Sequence, residues 1–154
     1  FRNTENICSA SIDFLNILKN TLLDIINTSM TDISILRDLR TTLDQFGTFL
    51  LTDICPSDND IIFIKNYFDK MEMKSLMENF VEYLLPYQDQ IHRRNKKLFL
   101  HNKKIFGNLP HDKITKFSQL MNGEQISREN EITIWEYFRT IVGLCNEYKK
   151  FLKR

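Results

Sequence analysis

One alanine (Ala10), two valines (Val81, Val142), three prolines and four glycines are scarce material for a chain of 154 residues. None of the glycines is spaced as in a phosphate-cradling loop or a dinucleotide fingerprint, and no glycine-flanked serine elbow occurs, so those catalytic frames are excluded. No alternating run rich in valine and threonine reads as a strand. The three cysteines, Cys8, Cys55 and Cys145, are odd in number and far apart. That argues against a disulfide framework and suits buried thiols in a reducing compartment. No apolar run approaches the ~20 residues that span a bilayer, and no signal-peptide pattern opens the chain. An intracellular, cytoplasmic protein without membrane contact is therefore expected. The chain starts at Phe1 rather than methionine, which leaves any segment upstream open.

What is present is ordinary in amount and uneven in distribution. The apolar fraction is 42% and the charged fraction 27%, as in globular proteins. A chain of this length buries roughly 70% of the surface its unfolded form exposes, so it folds without metal or disulfide support. Eighteen isoleucines and 14 asparagines against one alanine match the codon bias of an AT-rich genome. The net charge of +1 hides an asymmetry. Residues 1–85 carry seven basic and thirteen acidic side chains, and residues 86–154 carry fourteen basic and seven acidic ones.

Helical periodicity organises the chain from its end. In the stretch Ile132 to Arg154 the apolar residues Ile134, Trp135, Phe138, Ile141, Val142, Cys145, Tyr148 and Leu152 fall on one face of an amphipathic helix. Ser127 reads as its cap. A first helix is expected from Thr4 to about Asn27, with a polar break at Thr28, Ser29 and Thr31, where Asn27-Thr28-Ser29 is a formal glycosylation sequon. A second runs from Asp32 to Leu51 on Leu36, Leu39, Leu43, Phe46 and Leu50. Ser57-Asp58-Asn59-Asp60 resembles a capping box opening a third, with a break near Glu72 to Ser75. Pro86 kinks that helix or starts the next, which carries Tyr87, Ile91, Leu98, Phe99, Ile105 and Phe106 and stops at Gly107. Asp112 caps a short helix closed by Gly123. The fold expected is all-α: a single compact bundle of six to seven helices, forming one domain over 1–154.

The sharpest local feature is a basic run, Gln90 to Lys104. Arg93, Arg94, Lys96, Lys97, Lys103 and Lys104 place six cations in twelve residues, beside His92 and His101. On a helix most of them cover an arc opposite Ile91, Leu98 and Phe99. Such an arc docks an acidic protein surface, including that of a second copy, or tracks phosphates. Its bland reading is a solvated face whose lysine stems cover apolar neighbours. Phe63, Tyr67, Tyr83, Tyr87 and Tyr137 fall off or at the edge of the apolar stripes, and together they would make an aromatic interface patch.

Other chemistry is thin. His111-Asp112 invites comparison with helical metal-dependent phosphohydrolases, but no aspartate follows Asp112 and the adjacent pair is explained by capping. Asp89 with His92, and Glu78 with Glu82, share helix faces without the two Glu-x-x-His motifs a di-iron bundle requires. No histidine is assigned to a cysteine as its base. The sequence therefore points away from an enzyme, a metal or a cofactor.

Leu98-Phe99-Leu100, Ile105-Phe106, Ile134-Trp135-Glu136-Tyr137-Phe138 and the closing Tyr148-Lys149-Lys150 resemble uncharacterised small helical proteins of large nucleocytoplasmic DNA viruses, over roughly the C-terminal half. The resemblance implies a viral protein in an infected cell's cytoplasm, as a virion or factory component, and carries over no functional residues. Phe106-Gly107-Asn108 does not match the Asn-Trp-Gly-Arg signature of viral death-inhibiting bundles. The function expected is a non-enzymatic helical protein–protein interaction module. It would bind a viral or host protein, or itself, through the basic helix and exposed aromatics, with Tyr87 the aromatic contact. The alternative is a nucleic-acid-binding protein contacting phosphates through the 92–104 basic helix.

Overall fold

With no glycine before Gly47 and no proline before Pro56, nothing in the first third of the chain blocks helical hydrogen bonding. A computed structural model describes the backbone of residues 2–153, with side chains over 11–26 and 32–153. In it, helix α1 spans Arg2–Phe49. The polar break expected at Thr28, Ser29 and Thr31 does not interrupt the backbone, so the two helices expected over 4–27 and 32–51 are one, since polar residues without glycine or proline leave the helical hydrogen bonds in place. The side chains of Thr4, Cys8 and the sequon lie outside the described ones. At its other end α1 does not run on to Leu51 as an α-helix. It widens into a π-helical turn, Leu50–Ile54, whose last bond runs from Cys55 N–H to the Leu50 carbonyl at 2.7 Å.

The remaining helices are α2 (Asn59–Lys70), α3 (Met73–Tyr83), α4 (Gln88–His92), α5 (Leu98–His101), α6 (His111–Asn122) and α7 (Arg128–Leu152). Short 3-10 turns at Leu85–Tyr87 and Lys103–Phe106 join the middle ones. Among the described residues there is no strand, and the all-α expectation holds. Contacts divide the chain into two compact units, Phe1–Ser34 and Ile35–Arg154, where one bundle over the whole length was expected. The physical reason is a difference in burial. From Ile35 onward α1 sends Ile35, Leu39, Leu43 and Phe46 into a core, whereas the large apolar side chains between Ile12 and Ile26 are exposed.

The second unit is built on α7. Ile134, Trp135, Phe138, Ile141, Val142, Cys145 and Tyr148 are all buried, as the periodicity requires, and Leu144 joins them at the stripe's edge. Leu152 does not. It is 61% exposed, because the stripe has outrun the helices that cover it. Phe138 sits among five other rings, with centroids at 5.1 Å to Phe99, 5.5 Å to Phe46, 6.1 Å to Phe117, 6.2 Å to Trp135 and 6.4 Å to Phe106. Edge-on and tilted geometries dominate, as the ring quadrupole favours. The even spread of partners across α1, α5, α6, α7 and a 3-10 turn means that one side chain ties most elements together.

Caps and close approaches fix the details. The N-cap of α2 is Asp58, not Ser57: its Oδ1 accepts from Asp60 N at 2.8 Å and Ile61 N at 3.2 Å. Ser57 instead takes φ 59° to turn the chain into the cap. The N-cap of α6 is Pro110, and Asp112 lies in its first turn, where a carboxylate still favours the positive helix end. Ser127 caps α7 as expected, its Oγ accepting from Asn130 N at 3.1 Å. Gly107 stands at φ 67°, a left-handed conformation where its missing Cβ matters. At Gly47 α2 comes so close that a Cβ would sit 3.0 Å from Lys65 Cγ. Arg40, which no motif singled out, donates to the Phe68 and Met71 carbonyls at 2.8 and 2.9 Å and so closes the C-terminal end of α2.

Candidate functional site

The basic run is not one helix. Asparagine competes with the backbone for hydrogen bonds, and the two asparagines in the run break it. Asn95 Oδ1 accepts from Lys97 N at 3.1 Å, and Arg94 takes φ 56° in the turn between α4 and α5. Asn102 Nδ2 donates to the Leu98 carbonyl at 3.1 Å and ends α5 after a single turn. The segment is held to the body by its apolar members, Ile91, Leu98, Phe99, Ile105 and Phe106, all buried. Ser118 Oγ donates to the Phe99 carbonyl at 2.7 Å, and Asn79 Nδ2 donates to the Ile105 carbonyl at 3.1 Å.

The six cations consequently part company. Arg93, Arg94 and Lys97 are exposed about the first turn, and Lys103 and Lys104 are exposed after the second break. Lys96 is half-buried and pairs with Glu131 Oε2 on α7 at 3.2 Å. The same carboxylate accepts from Trp135 Nε1 at 3.4 Å, so Lys96 acts as a support of the core rather than as a free cation. Lys103 Nζ meets His111 Nε2 at 3.1 Å, and Lys104 Nζ lies 5.8 Å from the Tyr83 ring centroid. Tyr83 and Tyr87, both half-buried, line an open groove of about 300 Å³ with His101, Lys103 and Lys104. This is the one place where the expected aromatic and basic residues come together.

The remaining off-stripe aromatics do not join it. Tyr137 stacks on Phe46 at 5.0 Å, Tyr67 packs edge-on against Phe68 at 5.4 Å, and Phe63 lies under Lys113, whose Nζ is 5.0 Å from the ring. The aromatic patch expected from all five is thus replaced by separate contacts, because each ring follows its own helix.

The acidic and basic halves neutralise each other in part. Lys113 of α6 pairs with Asp60 at 2.6 Å, and Lys116 lies 3.7 Å from Asp58, both at the start of α2. The hydrogen bond from Lys113 holds the Asp60 carboxyl below the ordinary carboxylate range, and the same bond raises the Lys113 ammonium. The Asp60 contribution to stability is present above the ordinary carboxylate pKa and is lost as pH falls through the lowered one.

Among the described residues no cluster of histidine, cysteine and carboxylate could hold a metal ion. His111 and Asp112 are both exposed, with Asp112 3.5 Å from Lys113. An apolar void of about 40 Å³ between α1, α2 and Phe138 is too small for more than a water-sized guest, and its walls offer little to bind one. A wider cleft of about 480 Å³ by Cys55, Asp58, Lys116 and Glu124 lacks a base against its thiol. Burial raises the Cys55 thiol first, with the neighbouring Asp58 charge adding to it. Neither cysteine with a described side chain is an activated nucleophile.

The largest feature was invisible in any motif. Between Ile12 and Ile26 the side chains of Ile12, Phe14, Leu15, Ile17, Leu18, Leu22, Leu23, Ile25 and Ile26 are each 44–63% exposed. Their spacing is legible, since Ile12, Leu15, Leu18, Leu22, Ile25 and Ile26 recur at helical intervals. That this stripe meets no partner helix is not legible, since periodicity reports a face and not what covers it. Large contiguous apolar patches on protein surfaces generally belong to interaction sites. No described helix is long and apolar enough to cross a membrane. No family model, no curated protein and no solved structure matches the chain.

Burial pushes the Cys145 thiol from its ordinary 9.0 up to about 12. The unfolded chain therefore loses that proton first, and stability declines as pH rises from 9 toward 12. Equilibrium unfolding of Cys145→Ala across this range should show a shallower alkaline decline than the parent chain. An identical slope would mean that the thiol is not buried in α7.

Proposed function

We propose that the chain is a non-enzymatic helical protein–protein interaction module and that the apolar face of residues 12–26 is its principal docking surface. The observation that carries this reading is the exposure of that face, nine large apolar side chains on less than five turns. The tyrosine–lysine groove at Tyr83, Tyr87, Lys103 and Lys104 supports a second, separate contact suited to an acidic partner. The resemblance to small helical viral proteins supports a setting in the cytoplasm of an infected cell.

The test is a hydrophobic anilinonaphthalene dye added to the chain at submicromolar dilution. The dye should bind and fluoresce, and Leu15→Gln, Leu18→Gln and Leu22→Gln together should remove most of that signal while the native emission of Trp135 stays. Undiminished dye binding, or loss of the native Trp135 signal, would place the face inside the core and end the reading.

The exposed cations Arg93, Arg94 and Lys97 favour a second reading, nucleic-acid binding through phosphates. On the leading reading, fluorescent DNA and RNA show no micromolar affinity even at low salt. Affinity that falls with salt by several log units per log unit, and disappears when those three become glutamine, would promote the second reading instead.

A further inference from the structure

The apolar pattern of α1 around Asn20 reads the same in both directions. Before Asn20 come Phe14, Leu15, Ile17 and Leu18, and after it come Leu22, Leu23, Ile25 and Ile26. Reflection through residue 20 exchanges Phe14 with Ile26, Leu15 with Ile25, Ile17 with Leu23, and Leu18 with Leu22. Polar positions obey the same reflection: Asn16 exchanges with Asp24, and Lys19 with Thr21. A twofold interface demands such a pattern, because residue i of one copy must meet residue j of the other wherever j meets i. A groove on an unrelated protein makes no such demand.

We propose that residues 12–26 pair antiparallel with the same face of a second copy of this chain, about a twofold axis at Asn20. The inference rests on the reading of this face as a docking surface and names its occupant. At about 100° per residue, Leu15, Leu18, Leu22 and Ile25 form the central seam, and Phe14 and Ile26 flank it symmetrically about 60° to either side. Asn20, Asp13, Asp24 and Asn16 lie on the far side, so pairing carries no carboxylate into the seam. Spacings of three, four and three along the seam are those of helices packed nearly antiparallel with interlocking side chains. Sliding one copy by a heptad sets Leu22 against Ser11 and Ile25 against Cys8, or Leu18 against Ser29 and Leu15 against Asp32, so the register about Asn20 matches the seam best.

The area approaches what a specific pair needs. Burying an aliphatic or aromatic side chain of this size removes roughly 60–120 Å² of apolar surface, so the four seam residues and two flanks supply on the order of 350–700 Å² per copy. A stable specific interface takes ~800 Å² per partner. The stretch Ser11 to Ile26 carries only Asp13, Lys19 and Asp24 as charges, so two copies approach without strong repulsion.

The experiment uses the full chain. Sedimentation velocity from nanomolar to tens of micromolar should show a concentration-dependent dimer, converted to monomer by Leu18→Asp with Leu22→Asp. Spin labels are then placed at Asn20→Cys or at Asp13→Cys, in a chain with Cys8 and Cys55 replaced by serine. Both positions lie on the outer faces of the pair, and the label separation across the dimer should be smaller at position 20, which has no offset along the helix axis. At position 13 it should be clearly longer, since seven residues on each copy rise 1.5 Å apiece away from the axis and add an axial offset of about 20 Å to the lateral separation. Equal separations at the two positions would indicate parallel pairing and overturn the proposal, as would a dimer indifferent to the aspartate variants. A chain that stays monomeric yet binds the hydrophobic dye through residues 12–26 overturns self-pairing alone. A monomer that does not bind the dye there overturns the docking reading as well.

Discussion

Phe138 is the contact on which the second unit depends. It touches rings from α1, α5, α6 and the 3-10 turn before Gly107, besides Trp135 one turn earlier on α7. Replacing a fully buried phenylalanine with alanine generally costs ~3–5 kcal/mol, a large share of the stability of an ordinary domain. The other devices act around this hub. Arg40 closes the end of α2, Asp58 opens it, and Lys113 and Lys116 hold α6 across the same helix start. These exposed or half-exposed ion pairs set geometry more than energy, since the median surface pair is worth little.

How far the sequence could be read follows from what each signal encodes. The α7 stripe was legible to its seventh member because apolar spacing and a serine cap both point to the same helix; it failed at Leu152, where the covering helices end. The break between α2 and α3 and the left-handed Gly107 were legible for similar local reasons. The basic run departs from the expected helix because Asn95 and Asn102, whose amides compete with the helix backbone, decide its conformation and its charges do not. Lys96 looked like its neighbours in sequence, and only the arrival of Glu131 from 35 positions away made it structural.

The same limit explains the docking surface. In α7 and in residues 12–26 the sequence shows equally convincing apolar faces, yet one is the centre of a core and the other meets solvent. Hydrophobic periodicity says that a face will be covered, and nothing local says by what. For α7 the cover is supplied by the chain's own helices. For residues 12–26, the palindrome about Asn20 supplies an answer that lies in the pattern's symmetry rather than in its strength.

The claim at the centre of this account is that contrast between a covered and an uncovered apolar face, and amide hydrogen exchange measures it most directly. At nanomolar dilution, the amides from Trp135 to Tyr148 should exchange only through global unfolding, and those from Ile12 to Ile26 should exchange orders of magnitude faster through local opening. Equal, strong protection of both segments in the dilute chain would contradict the account, because it would mean that residues 12–26 are already buried in a core of their own.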